Sequence, residues 1–80
     1  MDEFAVAQEV INAVLNTSYI KQGKKILRVK VKGGVARMIV PEQLRSAFEI
    51  LSNDTLLQGA QIEFEEVPGD GLEIEYIETE

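Results

Sequence analysis

The sequence is 80 residues long, is 45% hydrophobic, and contains neither histidine nor cysteine. This length fits a single domain over residues 1–80, and the hydrophobic fraction is that of a folded chain and not of a disordered one. Without imidazole or thiol groups, the chain has no Ser-His or Cys-His pair for catalysis and no tight zinc site. The composition therefore favours a binding or accessory protein, not an enzyme.

Charge is divided unevenly along the chain, whose net charge is -6. All eight Lys and Arg side chains lie between Lys21 and Arg45, whereas residues 46–80 hold ten acidic side chains and no basic one. The acidic half would repel phosphates, so we expect no nucleic-acid partner. No apolar run approaches the roughly 18 residues that cross a bilayer, and the acidic N-terminus lacks the basic region of a signal peptide. We therefore expect no membrane partner and a cytoplasmic location.

The first predicted element is a helix from about Asp2 to Ser18. Its apolar residues fall at intervals of three and four, the spacing of a helix with one buried face. They are Phe4, Ala7, Val10, Ile11, Val14 and Leu15. Asp2 and Glu3 stand at the helix start, where negative charge meets the positive end of the helix dipole. Gly23 marks the turn that follows.

The stretch Lys25–Lys32 has the two-residue period of a strand with one solvated face. The predicted inward residues are Leu27, Val29 and Val31, and the outward ones are Arg28, Lys30 and Lys32. Gly33-Gly34 is predicted to be a turn that ends the strand. It is not a phosphate-binding loop, because neither GxxxxGK[ST] nor GxGxxG surrounds it. The apolar connection 35–40 has no pattern that specifies its shape.

Pro41 then opens a second helix, at a position where its missing N–H needs no partner. Two strands follow at 61–67 and 72–78, joined by a tight turn at 68–71. We expect these two strands to form an antiparallel hairpin, and the strand 61–67 to run parallel to the first strand after a right-handed crossover. The inward residues predicted in these elements are Leu44, Ala47, Phe48, Leu51, Ile62, Phe64, Leu72, Ile74 and Tyr76.

The predicted fold is α+β, with the order α-β-α-β-β and a three-stranded mixed sheet that packs both helices on one face. The other face then carries the basic residues of the first strand beside the acidic residues of the other two. Cross-strand pairs of opposite charge stabilise a sheet, so this face is interpreted as solvated structure. The acidic residues concerned are Glu63, Glu65, Glu73 and Glu75. A charged partner site on this face is the alternative.

Four segments, in the same order and over nearly the whole chain, resemble one known family. Residues 1–15, MDEFAVAQEVINAVL, resemble an opening helix that begins Met-His-Glu and continues in an xxAQxI pattern. Residues 40–51, VPEQLRSAFEIL, resemble a VPExLRFAFE helix, and residues 55–68, TLLQGAQIEFEEVP, resemble TxxEGAxLxIEEVP. Residues 72–80 resemble the closing strand. The family is that of the HypA/HybF hydrogenase nickel-incorporation proteins.

The resemblance implies a zinc lobe with two cysteine pairs between the last two strands. Here the turn 68–71 closes that gap directly, and the sequence has no cysteine. The chain therefore resembles the nickel-binding domain alone, without the zinc-binding lobe, and we expect no zinc.

The resemblance also implies a histidine nickel ligand at position two, assisted by the N-terminal amine and nearby backbone. Asp2 stands at this position, while Glu3 is retained. A carboxylate is a hard oxygen ligand and a poor substitute for imidazole on nickel. The candidate metal residues are Met1, through its α-amine, Asp2 and Glu3, with nickel binding expected to be weak or lost. The alternative is that Asp2 and Glu3 only stabilise a helix start.

For function, the resemblance implies an accessory protein of hydrogenase maturation, with a maturation GTPase or a hydrogenase component as partner. One alternative is a divergent protein–protein interaction module with no metal role, which recruits another partner or forms a homo-oligomer through a strand edge. A further alternative is a small carboxylate enzyme, which would need a deep pocket.

Overall fold

The computed structural model describes residues 2–80, so Met1 lies outside the described residues. Within this range, three α-helices, three β-strands and one 3-10 turn follow one another. In chain order they are α1 (Glu3–Leu15), α2 (Ser18–Lys21), β1 (Ile26–Gly34), the 3-10 turn (Val35–Arg37), α3 (Pro41–Leu51), β2 (Gln61–Val67) and β3 (Leu72–Thr79). The α+β class and the mixed three-stranded sheet are confirmed. No helix within residues 2–80 has the length and apolar character needed to cross a bilayer.

The predicted first helix is interrupted near its C-terminus, so that α1 ends at Leu15 and α2 is a separate short helix. Thr17 has an extended backbone with ψ of 161°. Its hydroxyl donates a hydrogen bond to the carbonyl oxygen of Val14 at 2.7 Å. A threonine that bonds to the preceding turn competes with the helical ladder, which accounts for the break.

A single hydrophobic core lies between the sheet and the two longer helices. Residues of α1 and α3 enter it at the spacing of one helical face, and Phe48 is the largest of its fully buried side chains. The core side chains with no exposed surface are Ala7, Val14, Ile26, Val29, Val31, Leu44, Ala47 and Leu57. Burial of each larger aliphatic or aromatic side chain contributes about 1.5–3 kcal/mol, so this core holds α1 and α3 against the sheet.

The order of strands in the sheet is β2-β1-β3, with β1 in the centre. β1 pairs with β2 in parallel, as predicted, but it also pairs with β3 antiparallel. The predicted hairpin between β2 and β3 is therefore wrong. The turn 68–71 crosses the end of β1 instead, where Gly34 N–H donates to the carbonyl of Gly71 at 2.8 Å. Placing the basic strand between two acidic ones also avoids opposing glutamate rows, which would repel each other.

Two irregularities in the β1–β3 register change which side chains face the core. The first lies between Ile26 and Arg28, and the second between Lys30 and Val31. An extra residue in one strand of a pair turns the following side chains to the other face. As a result, Leu27 is 40% exposed and Tyr76 is 41% exposed, so the prediction that both face inward is wrong. Ile26 and Ile77 fill the inward positions.

The two glycines that were predicted to form a turn are instead the last two residues of β1. The 3-10 turn follows at once, and Met38 then adopts a left-handed backbone with φ of 54°. This conformation is uncommon for a residue with a side chain. It closes the connection 35–40 and directs the chain into α3.

The outer face of the sheet carries a row of ion pairs, here called the charged face, as predicted from the alternation of basic and acidic residues. The N–O distances are 3.0 Å for Arg28–Glu63, 3.4 Å for Arg28–Glu78, 3.1 Å for Lys30–Glu65, 3.5 Å for Lys30–Glu75 and 3.4 Å for Lys32–Glu75. Tyr76, turned outward, donates its hydroxyl to Glu63 at 2.9 Å. Glu73 lies opposite Lys32 in the register, but it makes no ion pair among the described residues.

The central cation of the charged face predicts a pH effect on stability. The contact with the Glu65 carboxylate is the main cause of the raised pKa of Lys30, and desolvation partly opposes it. A raised pKa in the folded state stabilises the fold fully below the ordinary value of 10.5, and this contribution is lost as the pH rises through the folded value. We expect the difference in melting temperature between the wild type and Lys30→Met to shrink with rising alkaline pH.

The control for this effect is Lys24→Met, since Lys24 is exposed and makes no ion pair within residues 2–80. Thermal melts at stepwise pH values, at low and high salt, measure both variants. The salt series matters because exposed ion pairs are screened by salt. An identical alkaline profile for Lys30→Met and Lys24→Met would show that the charged face does not stabilise the fold through Lys30.

Candidate functional site

Of the predicted metal residues, Asp2 and Glu3 lie where the N-terminus of α1 meets the N-terminus of α3. An open groove of about 400 Å³ marks this meeting point. Its lining residues are Glu3, Phe4, Glu42, Gln43 and Ser46. Both helix starts present backbone N–H groups that have no partner within their own helix. The chemistry of this region therefore depends on which acceptors those N–H groups find.

Asp2 is the N-cap of α1. Its backbone is extended, with φ of -84° and ψ of 94°, and its Oδ1 atom accepts a hydrogen bond from Ala5 N–H at 3.2 Å. This is the geometry in which a short polar side chain stabilises a helix start, a contribution of about 1 kcal/mol. Asp2 thus has the helix-start role that was the alternative to a metal ligand.

Glu3 binds the other helix. Its side chain is buried, with the residue only 6% exposed, and its Oε2 atom accepts the backbone N–H of Val40 at 3.0 Å. Val40 immediately precedes α3 and offers no side-chain cap of its own. A carboxylate at this position satisfies a backbone donor and lies at the positive end of the α3 dipole. Glu3 therefore ties α1 to the start of α3.

This contact could not be found from the local sequence. Glu3 and Val40 are 37 positions apart, and the sequence pattern placed Glu3 only at the start of its own helix. The one sequence signal for this residue was that Glu3 is retained from the Met-His-Glu start of the family that the chain resembles. The structure thus brings Glu3 to the entry to α3, a segment that the sequence pattern does not connect with it.

The arrangement has a direct consequence for metal chemistry. Asp2 and Glu3 each accept a backbone N–H with one carboxylate oxygen, which orients the side chain and leaves the carboxylate with further lone pairs. No group of three or more acidic, histidine or cysteine residues within residues 2–80 is arranged to hold a metal ion. The amine of Met1 lies outside the described residues, and the three-residue metal site stays a prediction.

The surface beside these carboxylates is partly apolar. Phe4 is 50% exposed on α1, and Val40 is 43% exposed at the entry to α3. Both this groove and a second one of about 790 Å³, between α3 and β2, are open to solvent. An open groove offers a contact surface for a partner more readily than a water-excluding reaction site. These two grooves therefore do not supply the deep pocket that a carboxylate enzyme needs.

Comparison with known proteins gives one consistent family. A family model described as hydrogenase/urease nickel incorporation, metallochaperone, hypA matches residues 1–72. The hydrogenase maturation factor HypA of Methanobrevibacter smithii is 37% identical over 68 residues, which are 85% of this chain and 54% of that protein. HypA of Solidesulfovibrio magneticus is 39% identical over 69 residues, 85% of this chain and 58% of that protein.

A third relative, HypA of Nostoc punctiforme, is 37% identical over 71 residues, which are 89% of this chain and 60% of that protein. The chain thus spans a little over half the length of the curated relatives it matches. The match begins at the first residue and runs through α1, β1, α3 and β2 into the start of β3. The chain therefore belongs to the HypA family of nickel-incorporation metallochaperones.

Proposed function

We propose that this chain is an accessory protein of nickel delivery in hydrogenase maturation, and that its own N-terminus binds nickel weakly or not at all. The family match over residues 1–72 supports the maturation role. The observation that carries weak binding is Asp2 at the position where the family resemblance implies a histidine ligand. The three ligands that remain, the Met1 amine, Asp2 and Glu3, include no imidazole, which nickel prefers over carboxylate.

The proposed partner is a maturation GTPase or a hydrogenase component in the cytoplasm. The proposed contact surface is α1 with the acidic residues near it. Phe4 provides an exposed aromatic side chain at this surface, beside the carboxylate of Glu42. Exposed aromatic residues surrounded by polar groups are typical anchors of protein–protein interfaces.

The experiment measures binding of the immobilised chain to purified maturation GTPase and to purified hydrogenase components from the same organism. Replacement of Phe4 by alanine is expected to weaken the interaction about tenfold, the usual effect of removing an interface anchor. Leu56→Ala is the matched control, because Leu56 is also an exposed apolar residue but lies beyond the C-terminus of α3. Absence of binding to every one of these components would contradict the proposed maturation role.

A divergent interaction module without a metal role is the second candidate, and the open groove between α3 and β2 favours it. Under this alternative, nickel would leave the melting temperature of the chain unchanged, and the chain would bind no maturation component. A melting temperature that rises with nickel concentration would contradict this alternative, because a ligand that binds only the folded state stabilises it.

A further inference from the structure

The second groove has two different walls. One wall is a single face of α3 and the turn after it, and the other is the continuous backbone stretch 58–63 that leads into β2. The helical wall consists of Arg45, Phe48, Glu49, Ser52 and Asn53, at the spacing of one helix face. The groove therefore runs between a helix and the beginning of a strand.

That strand lies at an edge of the sheet. With the order β2-β1-β3, one side of β2 bonds to β1, and no strand of residues 2–80 pairs with its other side. A free strand edge presents unpaired N–H and C=O groups that can bond to an added strand. Peptide-binding domains use this arrangement, in which an extended segment adds to an edge strand and places alternate side chains in an adjoining groove.

The two faces of β2 specify which side chains such a segment needs. On the helix side, Ala60 in the groove and Phe64 on the same face of β2 are only partly buried, so inward side chains of the segment would meet apolar surface there. On the charged face, the segment would lie beside the carboxylates of Glu63 and Glu65, whose side chains are 39% and 48% exposed. An added strand that suits both faces alternates apolar and basic residues.

The strand already bonded to the other side of β2 has this alternation. β1 directs Val29 and Val31 into the core, while Arg28 contacts Glu63 at 3.0 Å and Lys30 contacts Glu65 at 3.1 Å. The acidic row of β2 is thus complementary to a basic strand on one side, and it is exposed on the other.

A second copy of the chain does not fit this edge. Antiparallel pairing of β2 with itself about Phe64 would set Glu63 of one copy opposite Glu65 of the other, and like charges directly opposite are destabilising. The strand β3 of a second copy is equally acidic on its outer face, with Glu73, Glu75 and Glu78. The basic strand β1 is central and already paired on both sides.

We propose that the free edge of β2 and the groove beside it bind an extended polypeptide segment whose side chains alternate apolar and basic. The segment adds to the sheet as a fourth strand, with its apolar residues against Ala60 and Phe64 and its basic residues against Glu63 and Glu65. This site is separate from the proposed nickel and GTPase surface at the N-terminus of α1, so its test does not depend on that proposal.

The test uses a short fluorescent peptide of alternating valine and lysine, titrated with the full chain while anisotropy is recorded. Glu65→Lys is expected to weaken binding about tenfold, because a favourable charge pair becomes a repulsive one. The matched control is Glu73→Lys, which makes the same charge change on the opposite edge strand and is expected to leave the affinity within about twofold. Glu65→Gln is expected to weaken peptide binding by a smaller factor, and it tests the same contact if Glu65→Lys does not fold.

Amide chemical shifts locate the peptide, and we expect them to change in residues 58–67 and along the groove face of α3. A peptide with proline at a central position is expected to bind far more weakly, because it removes a ladder hydrogen bond. Equal weakening by Glu65→Lys and Glu73→Lys, or shift changes centred on β3, would overturn the proposal in favour of unspecific attraction to an acidic chain. A stable dimer through β2 in light scattering would overturn it in favour of a second copy.

Discussion

Replacement of Glu3 by alanine is expected to lower the free energy of unfolding by about 2–3 kcal/mol. The substitution removes the charged acceptor of the Val40 N–H at the entry to α3. It also removes a buried side chain from the contact between α1 and α3. In a domain of this size, such a loss is a large part of the total stability.

Urea denaturation followed by circular dichroism measures this loss. Glu3→Gln is the matched variant, because its amide oxygen can still accept the same hydrogen bond, and its cost is expected to be about 1 kcal/mol. Asp2→Ala removes only a helix cap and is also expected to cost about 1 kcal/mol. If Glu3→Ala destabilises the fold no more than Asp2→Ala, then Glu3 does not link the two helices as described.

Replacement of Gly34 by alanine is expected to destabilise the fold by about 3 kcal/mol or more. A Cβ atom at this position would overlap the carbonyl group of Gly69 and would lie 2.5 Å from the backbone nitrogen of Asp70. These are backbone atoms of the turn 68–71, which is itself bonded to the end of β1 through Gly71. The turn cannot move away without breaking the hydrogen bonds that its carbonyl groups at Gly69 and Gly71 accept from Ala36 and Gly34.

The control for this substitution is Gly71→Ala in the same turn. No atom of residues 2–80 beyond its chain neighbours lies within 4 Å of a Cβ built at Gly71, so the expected change is within about 0.5 kcal/mol. The two variants are compared in urea denaturation under the same conditions. A loss of equal size in both would mean that the turn is sensitive to any side chain, and the close approach at Gly34 would not be the cause.

The helices and strands themselves were largely predictable, because each follows a periodic pattern that is local in the chain. The parallel pairing of β1 with β2 was also predicted correctly. The partner of β3 was not, since the turn 68–71 is short enough for a hairpin and nothing local indicates that it crosses the end of β1. The faces of Leu27 and Tyr76 were predicted wrongly for a related reason. One extra residue in a strand pair is a property of the register between two distant segments, and it leaves no trace in the alternation of either one.

In the candidate site too, the local contact was predictable from the sequence and the long-range contact was not. Asp2 precedes an apolar helical stripe, and an acidic side chain at such a position is a local signal for an N-cap. The partner of Glu3 is Val40, at the entry to α3 and 37 positions away, so no local pattern could indicate it. The family was predicted correctly because four segments of the chain resemble its motifs in the same order, and the match over residues 1–72 confirms the prediction. Metal binding by Met1, Asp2 and Glu3 stays a prediction.

Calorimetric titration of the tag-free chain with nickel, at its native N-terminus, tests the central claim most directly. For the wild type we expect binding weaker than micromolar, because neither Asp2 nor Glu3 supplies an imidazole and a carboxylate is a poor substitute for it on nickel. The variant Asp2→His is expected to bind nickel about a hundredfold more tightly, since imidazole suits this metal. Micromolar or tighter binding by the wild type that disappears in Asp2→Ala would contradict the claim and establish Asp2 as a nickel ligand.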